Sequence, residues 1–245
     1  MQMQKLIMTT NKPKSIIILG MHRSGTSCLA GALQQAGLYL GEVSNANKYN
    51  QKGNRENNSI MSLNEEILSY SGGSWDSIPV EIEWQKSHEE QAHKIIDKYR
   101  ASSQLFWGFK DPRAVITLQF WNKILPDAQL IGTFRHPMRV VNSLKNRDPD
   151  ITTTQALDLW LSYNRRMLDI QADKSFPMIS FDETCKDYLR TLQILIKETG
   201  LPGSTPPDFF DDKLRTQTDS IQDIELPEKV VECYEELNAY KIEKT

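Results

Sequence analysis

Residues 16–19 form an uninterrupted aliphatic run that ends at Gly20, and residues 28–36 resume an amphipathic pattern after a short polar loop. The first pattern reads as a buried strand and the second as a helix. The alternation recurs along the chain. Residues 105–109 and 129–134 read as further core strands and 178–181 as a short fourth one. Apolar spacing predicts helices over 60–68, 114–124, the stretch that opens at Pro137, 152–171, 184–199 and 227–239, and an exposed, highly charged helix over 87–100. Strands that alternate with helices imply an α/β fold, a mainly parallel sheet with helices on both faces and right-handed crossovers.

The punctuation fits that outline. Gly37 closes the first helix, Gly200 stops the helix before it, and Pro202, Pro206 and Pro207 mark a linker. Residues 1–14 read as a loosely attached leader and 15–245 as one domain. Residues 41–59, rich in Asn, Gly and Ser, read as a long loop, and long loops in compact domains tend to carry function. At 245 residues the chain is long enough for a substantial core.

Charge narrows the function classes. The net charge is −3, yet eleven acidic and only five basic residues lie between 205 and 245, so the body before this acidic helical extension is mildly basic. That suits an anionic ligand and falls short of the basic stripe of a nucleic-acid binder. No apolar run approaches the roughly 20 residues of a membrane span, and no export signal is recognisable, so a cytoplasmic location is expected. Cys28, Cys185 and Cys233 lie far apart with no CxxC pair, which predicts reduced thiols and no metal site.

The loop at the end of the first strand carries the chemistry. Arg23-Ser24-Gly25-Thr26-Ser27 leads directly into the first helix, an arrangement that turns backbone N–H groups and the helix dipole toward an anion. Arg23 adds a planar cationic fork, Gly25 a close backbone approach, and Thr26 and Ser27 hydroxyl donors. The Gly-Lys-Ser/Thr of a nucleoside-triphosphatase loop is absent, since no Lys occurs between Lys14 and Lys48. At the end of the third strand stands Arg135, with Ser143 eight positions on, about two helical turns away. Both can face the crevice at the carboxyl ends of the strands and hold a second phosphate.

These segments resemble the sulfotransferases that use 3′-phosphoadenosine 5′-phosphosulfate (PAPS). Residues 23–27 look like their 5′-phosphosulfate loop, and Arg135-x-Pro137-x-x-Val140-x-x-Ser143 like their 3′-phosphate motif. Residues 107–113, WGFKDPR, resemble the Lys-Asp-Pro segment of the tyrosylprotein branch and of bacterial relatives, and 179–184, ISFDET, the strand-end Tyr-Glu-Asp-Leu segment, with Phe181 as the aromatic. The resemblance covers roughly 15–216. It implies a P-loop-type sulfotransferase fold, PAPS as donor and a hydroxyl or amine acceptor on a small molecule, carbohydrate or peptide. It also implies charge stabilisation by Arg23, a hold on the sulfonate oxygens by Lys110, nucleotide binding by residues 23–27, Arg135 and Ser143, and a proton-accepting carboxylate at Glu56. His22 and His136 are the alternatives for that base. Arg113 is expected either to pair with Asp111 or to reach substrate. A P-loop nucleotide kinase or hydrolase, and a nucleotide-binding module without turnover, are the rival readings.

Overall fold

The computed structural model describes residues 12–43, 53–203 and 225–243. Residues 1–11 of the expected leader, the middle of the 41–59 loop, the 202–207 linker beyond residue 203 and the acidic extension up to residue 224 lie outside the described residues, and Lys14, at the end of that leader, already opens the first strand. Four strands, β1 (Lys14–Leu19), β2 (Phe106–Lys110), β3 (Gln129–Phe134) and β4 (Met178–Ser180), form one sheet in the order β2-β1-β3-β4. Every pairing is parallel, with Ile17 opposite Phe109 and Leu130, and Thr133 opposite Ile179. Parallel strands need crossover connections, and the helices supply them.

Period-two alternation along β1 splits the core in two. Ile16 and Ile18 pack with α1 (Thr26–Gln35) and α7 (Cys185–Thr199) on one face. Ile17 and Leu19 pack on the other with α2 (Asn58–Tyr70), α3 (Lys86–Ala101), α4 (Leu118–Ile124), α5 (Pro137–Lys145), α6 (Thr153–Asp173) and α8 (Glu228–Ala239). The α/β architecture with helices on both faces is therefore as the pattern implies. A sheet covered on both sides has buried strands, so β1 and β2 read as continuous apolar runs.

Two expectations are corrected. The predicted helix over 114–124 is two pieces, a 3₁₀ turn Pro112–Val115 and then α4. The Asp111 carboxylate accepts from the Arg113 N–H at 2.8 Å and starts the tight turn, while the Thr117 hydroxyl is drawn to Asn64 Oδ1 of α2 at 2.8 Å. The helix predicted as exposed, α3, buries His88, Ala92, Ile95, Ile96 and Tyr99 against the core. Side-chain caps fix two helix starts. Asn57 Oδ1 accepts from the N–H groups of Ser59 and Ile60 at the head of α2, and Thr152 with Gln155 forms a capping box on α6. No helix among the described residues is long and apolar enough to cross a membrane.

Candidate active site

All four strands point their carboxyl ends to one edge, which is where open α/β sheets build ligand sites. The loop after β1 turns sharply there. Gly20 has φ 150°, and a Cβ on it would fall 2.5 Å from the Thr133 carbonyl oxygen of β3. Arg23 takes the left-handed φ of 69°, a conformation that non-glycine residues adopt at a cost of about 1–3 kcal/mol. The Thr133 hydroxyl donates to the Ser24 carbonyl at 3.2 Å and ties the loop to β3. α1 then begins behind Gly25 with no side-chain cap, and the buried Ser24 Oγ has no hydrogen-bond partner, among the described residues. The first N–H groups of a helix have no partner within it.

The loop is in direct contact with the last turns of α5 and with the residue that follows β3. Arg23 Nε donates to Ser143 Oγ at 2.7 Å, and Arg135 Nη1 donates to the Arg23 carbonyl at 3.3 Å. The Arg135 guanidinium lies over the Phe181 ring, 5.3 Å from its centroid, and Trp160 Nε1 of α6 donates to the Arg135 carbonyl at 3.0 Å. Burial, and after it the charge of Arg147, lowers the pKa of Arg23 below its usual range.

At the end of β2, Lys110 Nζ meets Glu56 Oε1 at 2.5 Å, with the Lys110 side chain 1 % and the Glu56 side chain 11 % exposed. Two bonds hold the segment that carries Glu56 against α1: Ser27 Oγ donates to the Asn54 carbonyl at 2.9 Å, and Arg55 Nη1 to Gln34 Oε1 at 2.9 Å. Burial lowers the Lys110 pKa, opposed by the Glu56 and Asp111 carboxylates. Arg113 pairs with Asp111 at 3.0 Å, as expected, and also with Glu65 at 2.8 Å.

The structure therefore joins Arg23 with Ser143 and Arg135, and Lys110 with Glu56. Thr26 is buried in the first turn of α1, and Ser27 is turned to Asn54. The opening left by Gly25 is filled by Phe181, since a Cβ there would lie 2.3 Å from the Phe181 Cγ. His136 caps α5 by accepting from the Met138 N–H at 3.2 Å. His22 packs at a tilt of 57° against Trp75 with ring centroids 4.7 Å apart, and its buried Nε2 has no partner among the described residues. Burial first, then Arg113, Lys110, Arg147 and Arg23, drive the His22 pKa well below 6.5.

One participant lies inside the quoted 179–184 segment but received no role there. Asp182, two residues past β4, accepts from Arg139 Nη1 at 3.1 Å and from the His136 N–H. Its signal was positional: a carboxylate at the end of the fourth strand when the other three ends carry cations.

The sequence profile of the sulfotransferase family matches residues 13–206. The chain belongs to the sulfotransferase family. Among solved structures it is similar to the sulfotransferase domain from the Synechococcus PCC 7002 olefin synthase, with 18 % identity over 95 % of this chain and 97 % of that one at a TM-score of 0.54. It is also similar to the sulfotransferase domain from the curacin biosynthetic pathway, with 15 % identity over 94 % and 99 % at a TM-score of 0.56. At these identities the likeness bears on the fold, and the P-loop-like sulfotransferase fold is the one shared. No curated protein matches the sequence.

Proposed function

We propose that this sulfotransferase takes its sulfuryl group from PAPS and passes it to a hydroxyl or amine of a small-molecule, carbohydrate or peptide acceptor. The observation that carries the reading is a cluster of cations from three adjacent strand ends around a helix start that no side chain caps. Such an edge suits a nucleotide with anionic groups at both ends. The residues present fit it: the buried Ser24 Oγ lacks a partner, and Arg23, Lys110 and Arg135 supply the charge. When bound, PAPS supplies an activated sulfuryl group whose bond to the 5′-phosphate oxygen breaks as the acceptor's oxygen or nitrogen bonds to sulfur.

The protein's part is positioning and charge. Residues 24–27 present the head of α1 to the 5′-phosphate, and Arg135 with Ser143 holds the 3′-phosphate. Arg23 neutralises charge on the leaving oxygen, and its high pKa makes it a poor proton donor. Lys110 draws on the sulfonate oxygens, and Glu56 accepts the acceptor's proton. Sulfuryl transfer, like phosphoryl transfer, gains most from such preorganised charge.

Calorimetry tests the donor. Adenosine 3′,5′-bisphosphate is expected to bind without metal and to raise the melting temperature through linkage. Equal or tighter binding of ATP, seen only with Mg²⁺, would assign the crevice to a kinase or hydrolase.

A further inference from the structure

Asp182 stands where an anion site has least use for a carboxylate. Its Oδ1 accepts from Arg139 Nη1 at 3.1 Å and lies 3.8 Å from Arg135 Nε. Its Oδ2 accepts from the backbone N–H of His136, the residue that caps α5. A simple counter-ion needs one cation; this carboxylate gathers two guanidiniums and the start of a helix. Arg135 is meanwhile fixed in two other directions, by the Phe181 ring beneath it and by the Arg23 carbonyl at Nη1. Long, flexible arginine side chains bind well only when their planes are set beforehand.

The C-terminal helix closes the arrangement from outside the matched segment 13–206. Tyr234 of α8 sets its ring 5.0 Å from that of His136. Its hydroxyl is pushed up to about 12 by burial, with the Asp182 carboxylate adding to the effect. Arg139 is placed in the first turn of α5, where a cation opposes the helix dipole, and Asp182 is the carboxylate that offsets it there.

We propose that Asp182 is a positioning residue for the 3′-phosphate: it sets Arg135, Arg139 and the head of α5 as one rigid unit and makes Arg139 the second cation of that site. The ligand half of this inference rests on the nucleotide reading above; the positioning half does not.

Two measurements on the full chain test it. In the first, without ligand, side-chain ¹⁵N NMR follows water exchange at the arginine guanidinium N–H groups, Nη included, assigned from Arg135→Lys and Arg139→Lys. Asp182→Asn is expected to speed exchange at Arg135 and Arg139 by about tenfold or more while Arg23 stays unchanged. In the second, calorimetry compares adenosine 3′,5′-bisphosphate with adenosine 5′-phosphosulfate, which lacks the 3′-phosphate. The variant is expected to bind the bisphosphate about tenfold more weakly and the phosphosulfate less than about twofold more weakly. Unchanged exchange at both arginines overturns the proposal. So does tighter binding of the bisphosphate, which would make Asp182 a mere competitor for the arginines, and so does an equal loss on both nucleotides. If the parent protein binds neither nucleotide, the donor reading fails while the exchange data still decide the positioning role. Should Asp182→Asn not fold, Asp182→Glu, which keeps the charge on a longer arm, is read by the same criteria.

Discussion

Lys110 and Glu56, 54 residues apart in sequence, meet at 2.5 Å with both charges withdrawn from water. One comes from the end of β2 and the other from the residue before the cap of α2, so neither element alone creates the pair. A buried ion pair is weak evidence for stability, because desolvation offsets much of the attraction. Its placement at the strand-end edge is what the proposed catalytic roles of both residues require. Glu56→Gln keeps the shape and removes the proposed proton acceptor. Turnover is expected to fall by roughly 10²–10⁴ while affinity for adenosine 3′,5′-bisphosphate stays nearly unchanged. Normal turnover in this variant, together with a dead His22→Ala or His136→Ala, would give the base to a histidine.

Arg135→Ala separates the two ends of the nucleotide. A charge-assisted hydrogen bond is worth roughly 1.5–3 kcal/mol, so binding of the 3′-phosphorylated nucleotide should weaken ten- to a hundredfold. The 3′-dephosphorylated analogue should lose little. Equal loss for both would mean that Arg135, through its contacts with Arg23 and Phe181, serves the loop instead of the phosphate.

Gly25 and Phe181 compete for one volume, so Gly25→Ala meets two obstacles. The φ of 86° disfavours any side chain, and the new Cβ would sit 2.3 Å from the Phe181 ring. Each obstacle is of the order of 1–3 kcal/mol. In the Phe181→Ala background the steric part disappears and the backbone part remains. Denaturant titration should therefore show Gly25→Ala costing less there than in the parent, and strictly additive losses would contradict the packing.

How far the sequence revealed this molecule depends on the range of the interactions. The strands were legible because a doubly covered parallel sheet writes itself as aliphatic runs, as at Ile16 to Leu19. The α3 stripe of Ala92, Ile95, Ile96 and Tyr99 was obscured by the charges between, and the break at Thr117 depends on Asn64, 53 residues away. The loop and strand-end residues Arg23, Lys110, Arg135 and Ser143 could be singled out from local motifs. Their contacts could not: Arg23 to Ser143 and Lys110 to Glu56 exist only once crossovers stack four strand ends on one edge. Asp182 stood in the quoted ISFDET segment without a role for the same reason, since its partners lie at and near the start of α5 and not near it in sequence.

The imidazole of His22 should make the protein acid-sensitive in a defined window. Burial and the charges of Arg113, Lys110, Arg147 and Arg23 hold its folded pKa well below the ordinary value of 6.5. As pH falls through 6.5 the unfolded chain takes up a proton that the folded chain refuses. The unfolded state thus binds more protons between 6.5 and the lower folded pKa, and stability falls as pH falls through that window. Above it the contribution is constant. His136 is shifted in the same direction, by burial first, with Asp182 opposing and Arg139 and Arg135 adding to it. Unfolding free energies measured by denaturant titration between pH 5 and 6.5 should therefore decline in the parent, with each such histidine adding up to about 1.4 kcal/mol per pH unit. His22→Gln, which removes the titrating group, should flatten that slope more than His136→Gln does. A His22→Gln profile that runs parallel to the parent would show that the imidazole is protonated in place, among the four cations, and that the crevice is less positive than its geometry implies.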